Sequence, residues 1–365
     1  MMNSTYFVLC SSCFIFIIVY LDPKYLQTNI LSKQPKVKAG VQLNYNSNQD
    51  EVPQKLDLRK WMNEKENNYQ KDKERIKEVC KRYNVEKRNW IDKKYIFVDR
   101  YHGIAGCLHA KVGSTTWGYL WRDLLPETIF KQLAKQYKIN REDNLRGYGK
   151  WIDVMRSYYI PQYNVLGGLS SKTSPYFINN FLRSNQTLTF SFVRHPFERL
   201  VSAYKDKFSG KAKAFSRIYS WWFKGEISFS SFVDLVLYEY QKNCYPYNKQ
   251  SSRTRTNWSN QTCIDNVNNH WQPFEFRCSY CEINYDVIGR METWNDDLHY
   301  IIGKRGLEKV LPLEKVAISH HHASKLSTKE MTKEYFKTLS QEQKESLHHM
   351  YRLDFEMFNY DPRIY

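Results

Sequence analysis

The apolar residues divide the chain into four parts. Residues 6–21 (YFVLCSSCFIFIIVYL) form one uncharged apolar run, and a polar stretch rich in Lys, Glu, Asn and Arg follows it. From about residue 90 short apolar runs alternate with polar turns, which is typical of a folded globular domain. We therefore predict a tail at residues 1–5, a membrane anchor at 6–21, and a globular domain at 90–365. Between them, residues 22–89 predict an exposed stem, helical or partly disordered, that stays outside the core.

Within residues 90–365 the pattern predicts strands joined to helices. Residues 95–98 (YIFV), 188–193 (LTFSFV) and 285–289 (YDVIG) are rich in β-branched and aromatic residues and predict strands. Residues 103–107 predict a turn, and residues 107–110 predict the end of a buried strand. Helices are predicted at 117–125, 130–137, 175–182, 197–208, 229–240 and over most of 328–358. Because strand, turn and helix recur in this order, we predict an α/β fold with a central parallel sheet flanked by helices.

The first strand–turn–helix unit carries residues 110–117 (AKVGSTTW). A phosphate group is bound by backbone N–H groups at a helix start together with a cation. Gly113 permits a tight turn, Lys111 supplies the cation, and Ser114, Thr115 and Thr116 supply hydroxyl groups. The order differs from the Gly-x-x-x-x-Gly-Lys loop of nucleoside triphosphatases, which argues against an ATPase or a kinase. An ordinary strand-to-helix turn is the alternative interpretation.

The second unit carries residues 192–204 (FVRHPFERLVSAY). Arg194 ends the predicted strand, and Pro196 suits the first turn of the following helix. A guanidinium binds phosphate in a two-pronged geometry, and Ser202 can add a hydroxyl group to the same site. Glu198 and Ser202 are four residues apart and share a helix face. The alternative to a phosphate site is an ordinary helix, in which the charged residues form surface ion pairs and Ser202 has no specific role.

Together the two runs resemble the Golgi carbohydrate sulfotransferases of the chondroitin, dermatan and glucuronyl-epitope branch. Residues 111–117 look like the family's 5′-phosphosulfate loop, and residues 194–208 look like its 3′-phosphate motif. Further similar blocks are residues 270–271, 278–281, 285–293 and 351–360. Two departures mark a divergent member: Ala110 replaces a common proline, and Gly113–Ser114–Thr115 replaces Ala-Cys-Thr.

The resemblance implies a nucleotide-kinase-like sulfotransferase fold, with residues 90–365 as the catalytic domain. It implies 3′-phosphoadenosine 5′-phosphosulfate as sulfate donor, no metal, and a glycan hydroxyl as acceptor, in a chondroitin- or dermatan-type glycosaminoglycan or a glycoprotein glycan. Lys111 is then catalytic and stabilises the oxygen that bridges phosphate and sulfate. The residues implied to bind the donor are Lys111, Val112, Gly113, Ser114, Thr115, Thr116 and Trp117 at the 5′ end, and Arg194 and Ser202 at the 3′-phosphate.

A base must accept the proton of the acceptor hydroxyl. His270 is our predicted catalytic base because it opens a block similar to the family and because histidine titrates near neutral pH. His109, His195 and Glu198 are the alternatives. The triplet at residues 320–322 (HHH) predicts a loop, since adjacent residues do not face one metal site on a helix.

The charge indicates an anionic partner. The chain has a formal net charge of +17 and a pI near 9.3, which favours nucleic acid, an anionic membrane or an acidic polysaccharide. The start of the chain argues against nucleic acid, because it predicts entry into the secretory pathway. A non-catalytic, lectin-like glycosaminoglycan-binding protein is the alternative function. The simplest interpretation of the charge is a solvated basic face that binds no partner.

The compartment follows from residues 6–21. A membrane span needs roughly 17–25 residues, so this run is short, but it has no basic residue before it and no small-residue cleavage site. We favour an uncleaved anchor over a cleaved signal, which predicts a single-pass type II protein of the Golgi membrane with a lumenal catalytic domain. Asn185, Asn257 and Asn260 lie in glycosylation sequons. Disulfides are expected for the lumenal cysteines, and zinc at Cys278 and Cys281 is the competing interpretation.

Overall fold

The computed structural model describes residues 55–85, 96–99, 101–125, 159–160, 165–166, 180–209, 215–244, 267–311 and 327–365, with a few positions between 127 and 135. The predicted tail, anchor and histidine triplet and two of the sequons lie outside these residues. Across the described part of the chain, no helix combines the length and apolarity needed to cross a membrane.

The described strands form one mixed sheet of six. They are β1 (Ile96–Asp99), β2 (Ile104–Cys107), β3 (Tyr159–Ile160), β4 (Val165–Leu166), β5 (Leu188–Val193) and β6 (Val287–Arg290). Their order is β3-β4-β1-β2-β5-β6. β5 pairs in parallel with β2, where Cys107 faces Ser191, and with β6, where Phe192 faces Gly289. The predicted parallel sheet is therefore confirmed at β2, β5 and β6, while β1, β3 and β4 extend it with antiparallel pairing that was not predicted.

The turn predicted at residues 103–107 is wrong, because most of this segment is strand β2. Its two glycines suggested a turn, but Gly106 has a packing role in the middle of the strand. A Cβ atom at Gly106 would overlap the ring of Phe190 on the neighbouring strand β5. The missing side chain makes room for that ring, which is fully buried.

Helices cover both faces of the sheet. They are α1 (Lys55–Arg82), α2 (Ser114–Leu124), α3 (Pro196–Lys207), α4 (Phe229–Cys244), α5 (Phe274–Cys278), α6 (Trp294–Arg305), α7 (Thr328–Lys337), α8 (Gln341–Met350) and α9 (Arg352–Phe358). The two predicted strand–turn–helix units are β2–α2 and β5–α3. Trp117 of α2 stacks on Phe190 at 4.3 Å between ring centroids, and Trp294 of α6 lies 4.5 Å from Phe192. These aromatic contacts fix α2 and α6 against the sheet and form the centre of the core.

Helix α1 belongs to the folded domain, so the prediction that residues 22–89 stay outside the core is wrong for this segment. Tyr69, Ile76 and Val79 of α1 are buried in the main core cluster. Asp72 forms an ion pair with Arg290 of β6 at 2.8 Å. The helix is polar by composition, yet one of its faces is held by apolar contacts and by a partly buried ion pair.

Disulfides join distant parts of the domain. Cys80 of α1 is bonded to Cys281, and Cys107 at the end of β2 is bonded to Cys278 at the end of α5. Cys244 is disulfide-bonded as well. The expected disulfides are thus present for these cysteines. The zinc alternative at Cys278 and Cys281 is wrong, because both thiols are already bonded to other cysteines.

These contacts predict where a folded domain must begin. A chain that starts at Pro53 keeps α1, whereas a chain that starts at residue 90 loses three buried side chains, each contributing about 1.5–3 kcal/mol, and a disulfide contributing about 2–4 kcal/mol. Domains have a total stability of about 5–15 kcal/mol. We expect the longer chain to unfold cooperatively in a thermal scan followed by circular dichroism, and the shorter one to lack that transition. Equal melting temperatures for both chains would contradict the role of α1.

Candidate active site

The candidate site lies at the carboxyl edge of the parallel strands, where the chain leaves β2, β5 and β6. Loops after neighbouring parallel strands meet at the same edge of a sheet and commonly hold ligands there. β2 leads into the loop with Lys111, and β5 leads directly to Arg194. The two predicted runs therefore converge, and the charge of Arg194 contributes to lowering the pKa of Lys111.

The loop between β2 and α2 has an unusual backbone. Lys111 has a φ of 68° and Gly113 has a φ of 75°. Gly113 is the N-cap of α2, and the Trp117 N–H donates to its carbonyl oxygen at 3.0 Å. A Cβ atom at Gly113 would also overlap the ring of Trp294. The predicted tight turn at Gly113 is confirmed, and only glycine fits it without strain.

Not every predicted donor-binding residue presents its side chain to this site. Ser114 is half-buried and Thr115 is exposed, at the start of α2, and Thr116 is buried. Val112 and Trp117 have their side chains in the core. We correct Trp117 from donor contact to packing, because its amide hydrogen bonds to the Gly113 carbonyl oxygen and its ring stacks in the core. Val112 can offer a donor only its backbone groups, since its side chain is buried.

Helix α3 connects the two ends of the site. Arg194 precedes its first turn, and Asp206 lies in its last turn. Glu198, Ser202 and Asp206 are spaced by four residues and share one face of the helix. Twelve residues give α3 a length of about 18 Å. A ligand that reaches from Arg194 to Lys111 therefore lies along this face.

Asp206 holds Lys111 at one end of α3. The Lys111 ammonium donates to the Asp206 carboxylate at 2.9 Å, and Lys207 pairs with the same carboxylate at 3.1 Å. Burial lowers the pKa of Lys111, although the charge of Asp206 opposes that shift. Burial alone would raise the pKa of Asp206, but the two ammonium groups outweigh it and lower that pKa. Sequence reasoning missed this role of Asp206, because the two partners lie 95 positions apart in the chain.

Arg194 has an unused hydrogen-bond donor at the other end. Its side chain is 13% exposed and its Nε lies 3.6 Å from the Glu198 carboxylate. That buried Nε has no hydrogen-bond partner among the described residues. Glu198 accepts a hydrogen bond from the Tyr365 hydroxyl at 2.6 Å, and Ser202 is half-buried one turn further along α3. A guanidinium with an orphaned donor fits the binding of an anion such as a phosphate.

His270 lies beside the Lys111 end of the site. Its Nδ1 is 2.8 Å from the Asn268 side-chain oxygen, and its ring lies 5.3 Å from Phe215. Burial, followed by the charges of Lys207 and Lys111, lowers the pKa of His270 to about 3. The imidazole is therefore neutral at physiological pH. It is half-buried rather than enclosed.

The other predicted bases have structural roles. His195 is the N-cap of α3, where its Nδ1 accepts from the Phe197 N–H and its Nε2 lies 3.2 Å from the Asp361 carbonyl oxygen. His109 is fully buried against Arg199, whose Nη2 lies 3.1 Å from its Nδ1. Among the four candidates, the geometry favours His270.

Arg199 ties the loops of the site to α3. It is 1% exposed, and its guanidinium donates to the carbonyl oxygens of Ala110, Asn269 and Gln272 at 3.3, 3.2 and 2.7 Å. Ala110 precedes the candidate catalytic lysine, and Asn269 precedes the candidate base. One side chain thus positions the backbone next to both candidate residues, Lys111 and His270.

A cavity of about 700 Å³ lies at the opposite edge of the sheet. Leu188 at the start of β5 and Asp286 just before β6 line it, together with Lys73 of α1. Lys73 pairs with Asp286 at 2.8 Å. Because this cavity lies at the amino ends of the strands, it is separate from the candidate site. Within the described ranges, no group of three or more His, Cys, Asp or Glu residues is arranged to hold a metal ion.

Comparison with known proteins identifies the family of the chain. The model of the sulfotransferase family matches residues 94–361, so the chain belongs to the sulfotransferase family and is a sulfotransferase. Carbohydrate sulfotransferase 11 of Rattus norvegicus is 29% identical over 289 residues, covering 74% of this chain and 68% of that protein. Carbohydrate sulfotransferase 10 of Gallus gallus is 26% identical over 286 residues, covering 73% and 66%. Carbohydrate sulfotransferase 9 of Homo sapiens is 24% identical over 311 residues, covering 82% and 61%. No solved structure gives a significant match.

The low pKa of His270 predicts acid sensitivity. Between pH 6.5 and about 3 the unfolded chain protonates this residue while the folded chain does not, so folding stability falls by about 1.4 kcal/mol per pH unit as the pH decreases through that window. We expect His270→Gln to move the midpoint of acid unfolding to lower pH. His348→Gln, which removes an exposed histidine of α8, is the control. Equal shifts in the two variants, measured by tryptophan fluorescence, would contradict the assignment.

Proposed function

We propose that this sulfotransferase moves the sulfo group of 3′-phosphoadenosine 5′-phosphosulfate to a hydroxyl group of a glycan. The observation that carries the proposal is the arrangement along α3, with a Gly113 loop and Lys111 at one end and Arg194 at the other. A nucleotide with phosphate groups at both its 5′ and 3′ positions needs cations at two separated points. Lys111 contacts Asp206 in the last turn of α3, and Arg194 lies just before its first turn.

The donor is held at both ends by this chain's own groups. The start of α2 offers backbone N–H groups and the hydroxyls of Ser114 and Thr115 to the 5′-phosphate, since a helix N-terminus favours an anion. Arg194 offers its orphaned Nε to the 3′-phosphate, and Ser202 adds a hydroxyl group. Two separate anion-binding groups suit a bisphosphorylated nucleotide better than a simple phosphate.

The reaction is an in-line transfer. The acceptor oxygen forms a bond to sulfur while the bond from sulfur to the bridging phosphate oxygen breaks. Adenosine 3′,5′-bisphosphate leaves, and the acceptor loses its hydroxyl proton. Lys111 stabilises the negative charge that develops on the bridging oxygen, in the way that fixed cations lower the barrier of such transfers. For this step Lys111 exchanges Asp206 for the donor.

His270 accepts the proton of the acceptor hydroxyl. Its imidazole is neutral in the free protein, so a proton site is vacant when the acceptor arrives. The pKa of His270 is depressed in part by Lys207 and Lys111. Burial is the larger cause of the low pKa, and the negative charge of a bound donor offsets only the part due to those cations.

The acceptor we propose is a chondroitin- or dermatan-type glycosaminoglycan or a glycoprotein glycan, and the location we propose is the Golgi lumen. The names of the relatives support a carbohydrate acceptor. The disulfides suit an oxidising compartment, and the sequon residue Asn185 is exposed. A type II membrane anchor at residues 6–21 belongs to the same proposal.

Lys111→Ala tests the catalytic assignment. We expect sulfate transfer from the radiolabelled donor to desulfated glycans to fall by about 100-fold or more, since one group that stabilises transition-state charge contributes that much. Lys205→Ala removes an exposed lysine from the same helix and serves as the control. Melting temperatures of both variants within a few degrees of the unsubstituted chain show that they fold. Near-normal turnover by Lys111→Ala would refute the role of Lys111.

Arg194→Ala tests the donor site. We expect the KM for the donor to rise about 10- to 100-fold, because a hydrogen bond to a charged group contributes about 1.5–3 kcal/mol. The thermal stabilisation by adenosine 3′,5′-bisphosphate should shrink in parallel. Arg59→Ala, at an exposed position of α1, is the matched control. If glycan binding persists while neither nucleotide stabilises the unsubstituted chain, the non-catalytic glycan-binding alternative is favoured.

A further inference from the structure

An exposed aromatic surface lies next to the candidate site. Trp221 is 62% exposed, and Ile218 in the same segment is also 62% exposed. Trp221 contacts Tyr238 of α4 at 6.2 Å between ring centroids, and Trp222 contacts it at 4.8 Å. We call Trp221, Trp222 and Tyr238 the aromatic platform. A tryptophan so exposed is uncommon in a soluble domain, and such patches mark binding surfaces.

The segment that presents the platform also supports His270. Phe215 contacts His270 at 5.3 Å, Tyr219 contacts Phe215 at 6.0 Å, and Trp221 contacts Tyr219 at 6.3 Å between ring centroids. Three ring contacts thus lead from the candidate base to the exposed indole. Asn268 reinforces the link, since its side chain hydrogen bonds to both Tyr219 and His270.

The Lys111 end of the site is joined to the same segment. The Phe215 N–H donates to the Lys207 carbonyl oxygen at 3.1 Å, and the Lys207 ammonium lies 5.3 Å from the centre of the Phe215 ring. Lys207 is the residue that shares Asp206 with Lys111. The platform is therefore continuous with the reacting groups through packed side chains.

We propose that the aromatic platform is an acceptor subsite on which sugar units beyond the sulfated one stack, with Trp221 as its main contact. This inference rests on the proposed function, and it deepens it by assigning residues to the glycan. A pyranose ring has a face of C–H groups with partial positive charge, which complements the electron-rich face of an indole. Stacking on a rigid ring also costs little side-chain entropy.

The charges around the platform favour an acidic glycan. The Lys242 ammonium lies 5.5 Å from the centre of the Tyr238 ring, and Arg217 and Lys224 are exposed in the neighbouring segment. The exposed carboxylates nearby in the chain are Glu226, two residues after Lys224, and Asp234 of α4, so the three cations outnumber them. A chain of uronic acid and hexosamine units supplies both the C–H faces for the rings and the carboxylates for the cations.

The test compares Trp221→Ala with Trp221→Phe and with Tyr101→Ala. Tyr101 is 64% exposed, but it lies in the turn between β1 and β2, at the edge of the sheet away from the site. Unsulfated chondroitin chains and a chondroitin disaccharide serve as acceptors. We expect Trp221→Ala to raise the KM for the long chains at least fivefold, with the KM for the donor unchanged and a smaller effect on the disaccharide. Trp221→Phe should recover most of the loss, and Tyr101→Ala should behave as the unsubstituted chain.

Direct binding separates this inference from the proposed function. Retention on immobilised unsulfated chondroitin requires no turnover and should weaken in Trp221→Ala but not in Tyr101→Ala. If the unsubstituted chain transfers no sulfate to any glycan, the proposed function fails while this binding comparison still decides the subsite. Equal retention and equal KM values in the two variants overturn the subsite. A loss of binding to anionic phospholipid vesicles in Trp221→Ala, with glycan binding unchanged, overturns it in favour of a membrane contact.

Discussion

The buried guanidinium of Arg199 is the constraint on which the site depends. A charge removed from water is costly unless hydrogen bonds compensate it. Here Nε and Nη2 bond to the carbonyl oxygens of Ala110, Asn269 and Gln272, Nη2 also lies near His109, and the Phe274 ring face is 4.4 Å away. The buried Nη1 has no hydrogen-bond partner among the described residues. Because those carbonyls belong to two different loops, neither loop can shift without leaving the charge less well bonded. The arginine thereby holds the lysine loop and the His270 loop in one arrangement.

The elements that sequence patterns predict well are those stabilised by their own neighbourhood. Strand β5 and helix α3 follow from alternation and from a proline at the helix start. Helix α1 was misjudged because its composition is polar, although Tyr69, Asp72, Ile76 and Val79 repeat at intervals of three and four residues, the spacing of one buried face. The charge of Asp72 hid that face, since its partner Arg290 lies 218 residues away and no local pattern reveals the pair.

The residues of the candidate site also differ in how far the sequence alone could predict them. Lys111, Gly113 and Arg194 could be predicted because each sits at a strand-to-helix turn whose chemistry is local. Asp206 could not be given its role from the sequence, because its contact with Lys111 depends on how α3 lies against the loop. The side chain of Trp117 was misassigned for a related reason: a residue adjacent to a phosphate loop in sequence is directed by helix geometry into the core.

The cations of the candidate site are paired with carboxylates in the free protein, and a bound donor would replace part of that pairing. In the free protein Asp206 neutralises Lys111 and Lys207, and Glu198 lies beside Arg194. Asp206 is 42% exposed, and ion pairs with such exposure contribute about 0–1 kcal/mol, so Lys111 can leave it for a phosphosulfate at little cost. In the proposed reaction the donor brings negative charge close to His270, whose low pKa comes from burial first and then from the same cations. The donor offsets only the part of the shift that these cations cause, while burial, the larger cause, remains. The basicity of His270 in the proposed reaction is therefore linked to the presence of the sulfo donor.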